Sequence, residues 1–191
     1  MARTPDPSTL RLAAIDPDAL GRDLAAAVAH YTSRLAVPLS PGYEVHVSEC
    51  HGDTTVGLTA ADLARYARDG VGLDSTVEDY AVELVALLAS PLDDPGAIPA
   101  TLTRWLAGDV DVREFRADSI ADRLALVITA ALGRERIETG RAVTAAQLAV
   151  LGGVDPKSTR RLIQAGEIKA RDGRVKATEA RRWLSGRGVR V

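Results

Sequence analysis

Lys157, Arg160, Arg161 and Gln164 stand at positions i, i+3, i+4 and i+7 near the end of the chain. At about 100° per residue, that spacing gathers them on one side of a helix and leaves Thr159, Leu162 and Ile163 on the other. Lys and Arg donate to phosphate oxygens, Arg also forks onto the edge of guanine, and Gln matches the edge of adenine. Ser158 adds a hydroxyl beside them. Further on, Lys169, Arg171, Arg174 and Lys176 flank the pair Asp172-Gly173. Asp-Gly suits a two-residue hairpin turn in which both positions take positive φ. The four cations then sit on the tip and arms of a hairpin, a shape able to follow a phosphate backbone.

A second constellation is Cys50, His51 and Asp53, with His46 close by. A reactive thiolate needs an electropositive setting and a base in hydrogen-bond reach. Here Glu49 and Asp53 flank the pair, and carboxylates beside a thiol would disfavour the thiolate, so the expectation is a polar hairpin end. An enzyme built on His46, Cys50 and His51, or a redox-sensing Cys50, is a third-ranked reading. The acidic pairs Asp93-Asp94, Asp109/Asp111 and Glu78-Asp79 fall at helix starts or in loops, where helix dipoles and turns account for them. The chain contains no glycine-rich phosphate loop, no G-x-S-x-G and no H-E-x-x-H. The expectation is therefore no enzyme, no catalytic residue, no metal site and no cofactor.

The cations depend on short elements to hold them. Thr144 and Gln147 form a T-x-x-Q capping box for a first helix whose buried face is Leu148 and Leu151. Gly152 and Gly153 end it. Asp155 caps a second helix with Pro156 at its first position and Gly166 just past its end. Two short helices joined this closely, with glycine in the turn, follow the pattern of a helix-turn-helix. The hairpin comes next, then a last helix capped by Thr178, with Trp183 and Leu184 returning to the core and Gly186 closing it.

The run from Val143 to Leu184 resembles the excisionase-like and MerR-like winged helix-turn-helix DNA-binding domains. It carries their opening T-x-x-x-L-A-x-L-x-G-V from Thr144 to Val154, their R-x-L-I-x-x-G-x-I from Arg160 to Ile168, and a terminal Trp183-Leu184. The resemblance implies that Lys157, Ser158, Arg160, Arg161 and Gln164 belong to a recognition helix and Arg171 to Arg174 to a wing. The chain departs from the family pattern in two respects. Gly152 and Gly153 are paired where one glycine is usual, which adds flexibility, and the wing is short and has no aromatic residue. Residues 1–140 resemble no family in this way.

Charge divides the chain at the same place. Residues 1–139 hold 12 Arg and no Lys against 22 acidic residues, net −10, while residues 140–191 hold 12 Lys and Arg against 4 acids, net +8. Such asymmetry points to a basic module for a polyanion attached to an acidic body. At 46% hydrophobic and 26% charged residues, the composition is that of a globular chain. A single cysteine excludes an intrachain disulfide framework and any multi-cysteine zinc or iron–sulfur site. No run of about 18 apolar residues and no basic-then-apolar N-terminus is present, so the expectation is a cytoplasmic protein with no membrane contact.

Within the body, residues 1–14 read as a flexible arm and 17–36 as an amphipathic helix stopped by Pro38. Residues 43–48 and 54–58 read as two strands of a small β-hairpin, and 59–69 as a helix capped by Thr59 and closed by Gly70. Ser75 and Glu78 form an S-x-x-E box for a helix reaching about Ala89, Pro99 opens a short helix, and 112–117 form a further turn. The most apolar helix starts at Asp118 or Ser119; apolar on almost every side from Ala125 to Leu132, it is either central to the core or part of a subunit interface. The expected fold is mainly α: a helical domain with a small β-hairpin over 15–139, and a basic winged helix-turn-helix over 140–191. The expected function is sequence-specific binding of double-stranded DNA by a transcriptional regulator or excisionase-type accessory factor. It acts as a homodimer, with the helix at 118–133 as dimerisation or partner surface, and the acidic N-terminal domain can take a protein partner. The alternative is a protein–protein adaptor whose winged module docks an acidic partner.

Overall fold

The computed structural model describes residues 11–39, 55–89, 116 and 118–191. Asp16 starts α1 (Pro17–Leu39) by accepting the Ala19 N–H at 2.8 Å, with Pro17 in the first position, where its missing N–H is no loss. The helix runs through Pro38, past the stop expected at 36. Leu20 and Leu24 are fully buried along it. Ahead of it, Leu12–Ala14 form a single 3-10 turn that buries Leu12 and brings Ile15 into the core, so the arm is anchored at its inner end.

Residues 55–58, expected as a strand, are the first turn of α2 (Thr55–Asp69). Two glycines explain the difference. A Cβ on Gly21 would lie 2.5 Å from the Gly57 carbonyl oxygen, so α1 and α2 cross backbone to backbone at this point. Gly57, Thr59, Ala60 and Leu63 are then buried by helical spacing, which overrides the local alternation. Thr59 is consequently inside the helix and not at its cap. The other expected strand, the short helix at Pro99, the turn at 112–117 apart from Arg116, and the Cys50 and His51 cluster lie outside the described residues.

After the positive-φ Gly70, α3 (Val77–Ala89) starts one residue later than the Ser75/Glu78 box implied. The box is Thr76 with Asp79: the Thr76 hydroxyl accepts the Asp79 N–H at 3.1 Å, and the Asp79 carboxylate accepts the Thr76 N–H at 3.3 Å. The Ser75 and Thr76 hydroxyls both donate to the same carboxylate oxygen at 2.6 Å, which holds the Asp79 pKa below the usual carboxylate value. That shift in start turns Val77, Ala81 and Leu84 inward.

The centre of the fold is α4 (Ile120–Glu138), capped by Ser119, whose hydroxyl accepts the Asp122 N–H. Every residue from Leu124 to Arg134 is buried, as is Ile137. The helix continues past Gly133 because α5 (Ala145–Leu151) packs there: a Cβ on Gly133 would meet the side chains of Gln147 and Leu151 at 3.0 and 3.1 Å. Of the two places open to this helix, the core or a subunit interface, the burial of Leu124–Arg134 puts it in the core. The apolar faces of that helix are covered by the chain's own α1, α2, α3 and α5.

The last turn of α4 ties the surrounding elements together. Buried Arg134 donates to the Ala67 and Arg68 carbonyls at 3.3 and 3.1 Å, placing a cation at the C-terminus of α2. Glu135 accepts the Val77 N–H at the start of α3, Arg136 donates to Gln147 Oε1 on α5, and Glu138 accepts the Tyr66 hydroxyl at 2.6 Å. Burial and that carboxylate push the Tyr66 phenol well above its ordinary pKa. One apolar core therefore runs unbroken from Leu24 and Leu63 through Leu124, Ile128 and Ile137 to Leu148 and Leu184, across the charge boundary at 139/140.

Three short strands complete a mainly helical fold with a small antiparallel sheet. These are β1 (Val143–Thr144), β2 (Ala170–Arg171) and β3 (Arg174–Val175), in the order β1-β3-β2. Between β1 and β2 come α5 and α6 (Pro156–Gln164), and after β3 comes α7 (Ala177–Ser185). No helix among the described residues is long and apolar enough to cross a membrane.

Candidate nucleic-acid interface

The local signals around the cations have the geometry their residue types dictate. Thr144 Oγ1 accepts the Gln147 N–H at 3.2 Å and Gln147 Oε1 accepts the Thr144 N–H at 3.0 Å, the reciprocal capping box at the head of α5. Asp155 accepts the Lys157 N–H at 2.6 Å and Pro156 opens α6. At the other end Gly166 takes φ 77°, and the Glu167 and Ile168 N–H groups turn back to the Leu162 carbonyl at 3.0 and 3.3 Å. Ile168 is fully buried and anchors the entry to the hairpin.

Between the two helices, the glycine pair has two separate causes, and flexibility is neither. Gly152 sits under the Trp183 ring, where a Cβ would stand 2.5 Å from Cζ3. Gly153 takes φ 61° with nothing near its missing Cβ, so it serves the backbone turn. The Arg187 guanidinium lies over the same Trp183 ring, 4.4 Å from its centroid.

Asp172 and Gly173 take φ 52° and 73°, both positive as a type I′ turn requires. Register sets Arg171 opposite Arg174, Ala170 opposite Val175, Val143 opposite Val175 and Thr144 opposite Arg174. Paired residues share a face of a sheet, and Val143 and Val175 are fully buried, so Thr144, Arg174 and Arg171 form a row on the outer face. The strand β1 was not anticipated. Its only signal was the β-branched pair Val143-Thr144 ahead of the capping box. The last helix starts with Lys176 at its cap position instead of Thr178. Glu179 accepts the Lys169 N–H at 3.2 Å and pairs with Arg182 at 2.6 Å, binding the hairpin to α7. These partners lower the Glu179 pKa.

All nine residues singled out from the sequence stand exposed: Lys157, Ser158, Arg160, Arg161 and Gln164 on α6, and Lys169, Arg171, Arg174 and Lys176 on the hairpin and its arms. On the opposite side of α6, Thr159 is fully buried and Leu162 and Ile163 are half-buried. Arg171 approaches its neighbour Asp172 at 3.6 Å with both side chains almost wholly in solvent, a pairing worth little. Among the described residues, Lys157, Arg160, Arg161, Lys169, Arg174 and Lys176 have no carboxylate within 4.0 Å. Two further arginines, Arg136 and Arg141, flank the turn before β1 and so precede the stretch that carried the sequence pattern. Among the described residues no group of His, Cys, Asp and Glu could hold a metal ion. The arrangement offers guanidinium, ammonium and amide donors on a held scaffold, a chemistry of anion recognition. Comparison with known protein families, with curated proteins and with solved structures finds no match.

Proposed function

We propose that this chain binds double-stranded DNA sequence-specifically through a winged helix-turn-helix made by α5, α6 and the β2–β3 hairpin, as a transcriptional regulator or excisionase-type accessory factor. The observation that carries the reading is the sorting of α6. Its Lys157, Arg160, Arg161 and Gln164 face solvent while Thr159 is buried beneath them. A helix of about 10–12 Å diameter fits the major groove, where Arg reads guanine and Gln reads adenine. Arg171 and Arg174, opposite one another on the outer face of the sheet, are placed to contact phosphates.

The test uses the full chain, because α5 and α7 bury their apolar faces against α4. Selection from a randomised duplex pool should enrich one motif. Titration of that duplex by fluorescence anisotropy at several salt concentrations should give a log–log slope of about −0.9 per phosphate contacted. Absence of salt-dependent duplex binding at low ionic strength overturns the proposal.

A further inference from the structure

We infer that Arg136 and Arg141, at the junction of α4 with the sheet, join Arg174 in a second phosphate-holding cluster that extends the duplex contact onto the helical body. The inference rests on the duplex binding proposed above and adds residues that lie outside the helix-turn-helix. Gln147 Oε1 is the hub of the geometry. It accepts the Thr144 N–H at 3.0 Å and the Arg136 guanidinium at 3.3 Å, so Arg136 ends beside Thr144. Across the strand pair, Arg174 is the register partner of that same Thr144. Arg141 leaves the α4 turn toward β1, its side chain 59% exposed, and pairs with Glu135 at 2.9 Å.

Electrostatics support this placement. Burial, then the charges of Arg174 and Arg141, hold Arg136 below the usual guanidinium range, opposed by Glu135 and Glu78. One of those carboxylates, Glu135, also accepts a backbone N–H of α3. The row continues through Arg174 to Arg171 on the outer face of the three strands. Three strands at about 4.8 Å spacing span about 10 Å, the axial rise of about three nucleotides of one DNA strand at about 3.4 Å each. Planar guanidinium forks suit phosphate oxygens better than ammonium groups do, and all four positions are arginine.

The experiment measures duplex affinity against salt for the full chain and for Arg136→Gln, Arg141→Gln, the double variant and Glu135→Gln, with thermal unfolding as the folding control. Each arginine variant should weaken every duplex alike by about eightfold at 0.1 M salt, and the double variant should lower the slope by about two. Glu135→Gln keeps an acceptor for the Val77 N–H but removes the carboxylate, and should tighten binding. If Arg136→Gln does not fold, Arg141→Gln and Glu135→Gln decide by themselves. Wild-type slope and affinity in the arginine variants overturn the cluster while leaving duplex binding in place. No salt-dependent binding by the wild-type chain overturns both.

Discussion

Replacing Gly152 by alanine isolates one packing contact. Its backbone is ordinary helical, φ −80° and ψ −1°, so alanine brings no backbone strain. The main obstacle is the Trp183 ring, which a Cβ would meet at 2.5 Å, about 1 Å inside ordinary contact, with the Leu148 carbonyl oxygen a lesser one at 3.2 Å. Overpacking of this kind costs about 1–3 kcal/mol. Gly153→Ala is the matched control: nothing lies near its missing Cβ, but φ 61° costs alanine about 1–2 kcal/mol. The two losses are similar in size and different in cause, and a double-mutant cycle with Trp183→Leu separates them. Chemical denaturation should show that Trp183→Leu offsets most of the Gly152→Ala loss and none of the Gly153→Ala loss. Equal coupling of both glycines to Trp183, or none for Gly152, would show that the ring does not set the residue at 152.

Arg160→Ala and Arg161→Ala should each remove about 1–3 kcal/mol of discrimination between duplexes, whereas Arg174→Ala should weaken all duplexes alike and lower the salt slope by about one; unchanged site preference in the first two sinks the base-reading role. Ile128→Ala should destabilise by about 2–5 kcal/mol, and the shared core requires one cooperative transition, so tryptophan fluorescence and far-UV circular dichroism that unfold separately would contradict it. Arg134→Met should cost about 1–3 kcal/mol in a urea titration by leaving the Ala67 and Arg68 carbonyls without their donor. The lowered pKa of Asp79 means that its contribution to stability is present above 3.8 and is lost as pH falls through the folded value below it. Asp79→Asn should therefore flatten the acid limb of the stability profile, and an identical limb in both proteins would count against that linkage.

Much of the candidate interface was legible because its signals are nearest-neighbour ones. The Thr144/Gln147 box, the Asp155-Pro156 start and the Asp172-Gly173 turn each act over two or three residues and have the expected geometry. The exposed and buried sides of α6 follow from helical spacing alone. Signals that depend on a distant partner misled. Gly57 broke an apparent strand because Gly21 lies against it, and Gly152 suggested flexibility because Trp183 lies 31 positions away.

The sequence by itself thus determined where the C-terminal helices start and stop, which cations share a side, and that charge changes sign near residue 140. Tertiary structure alone decided that α4 is a core helix, that β1 joins the hairpin, and that Arg136 shares the Gln147 Oε1 acceptor with Thr144, the residue opposite Arg174. The physical reason is range. Capping and turn formation act within a few residues along the chain, whereas burial and charge clustering depend on which faces meet when distant segments pack.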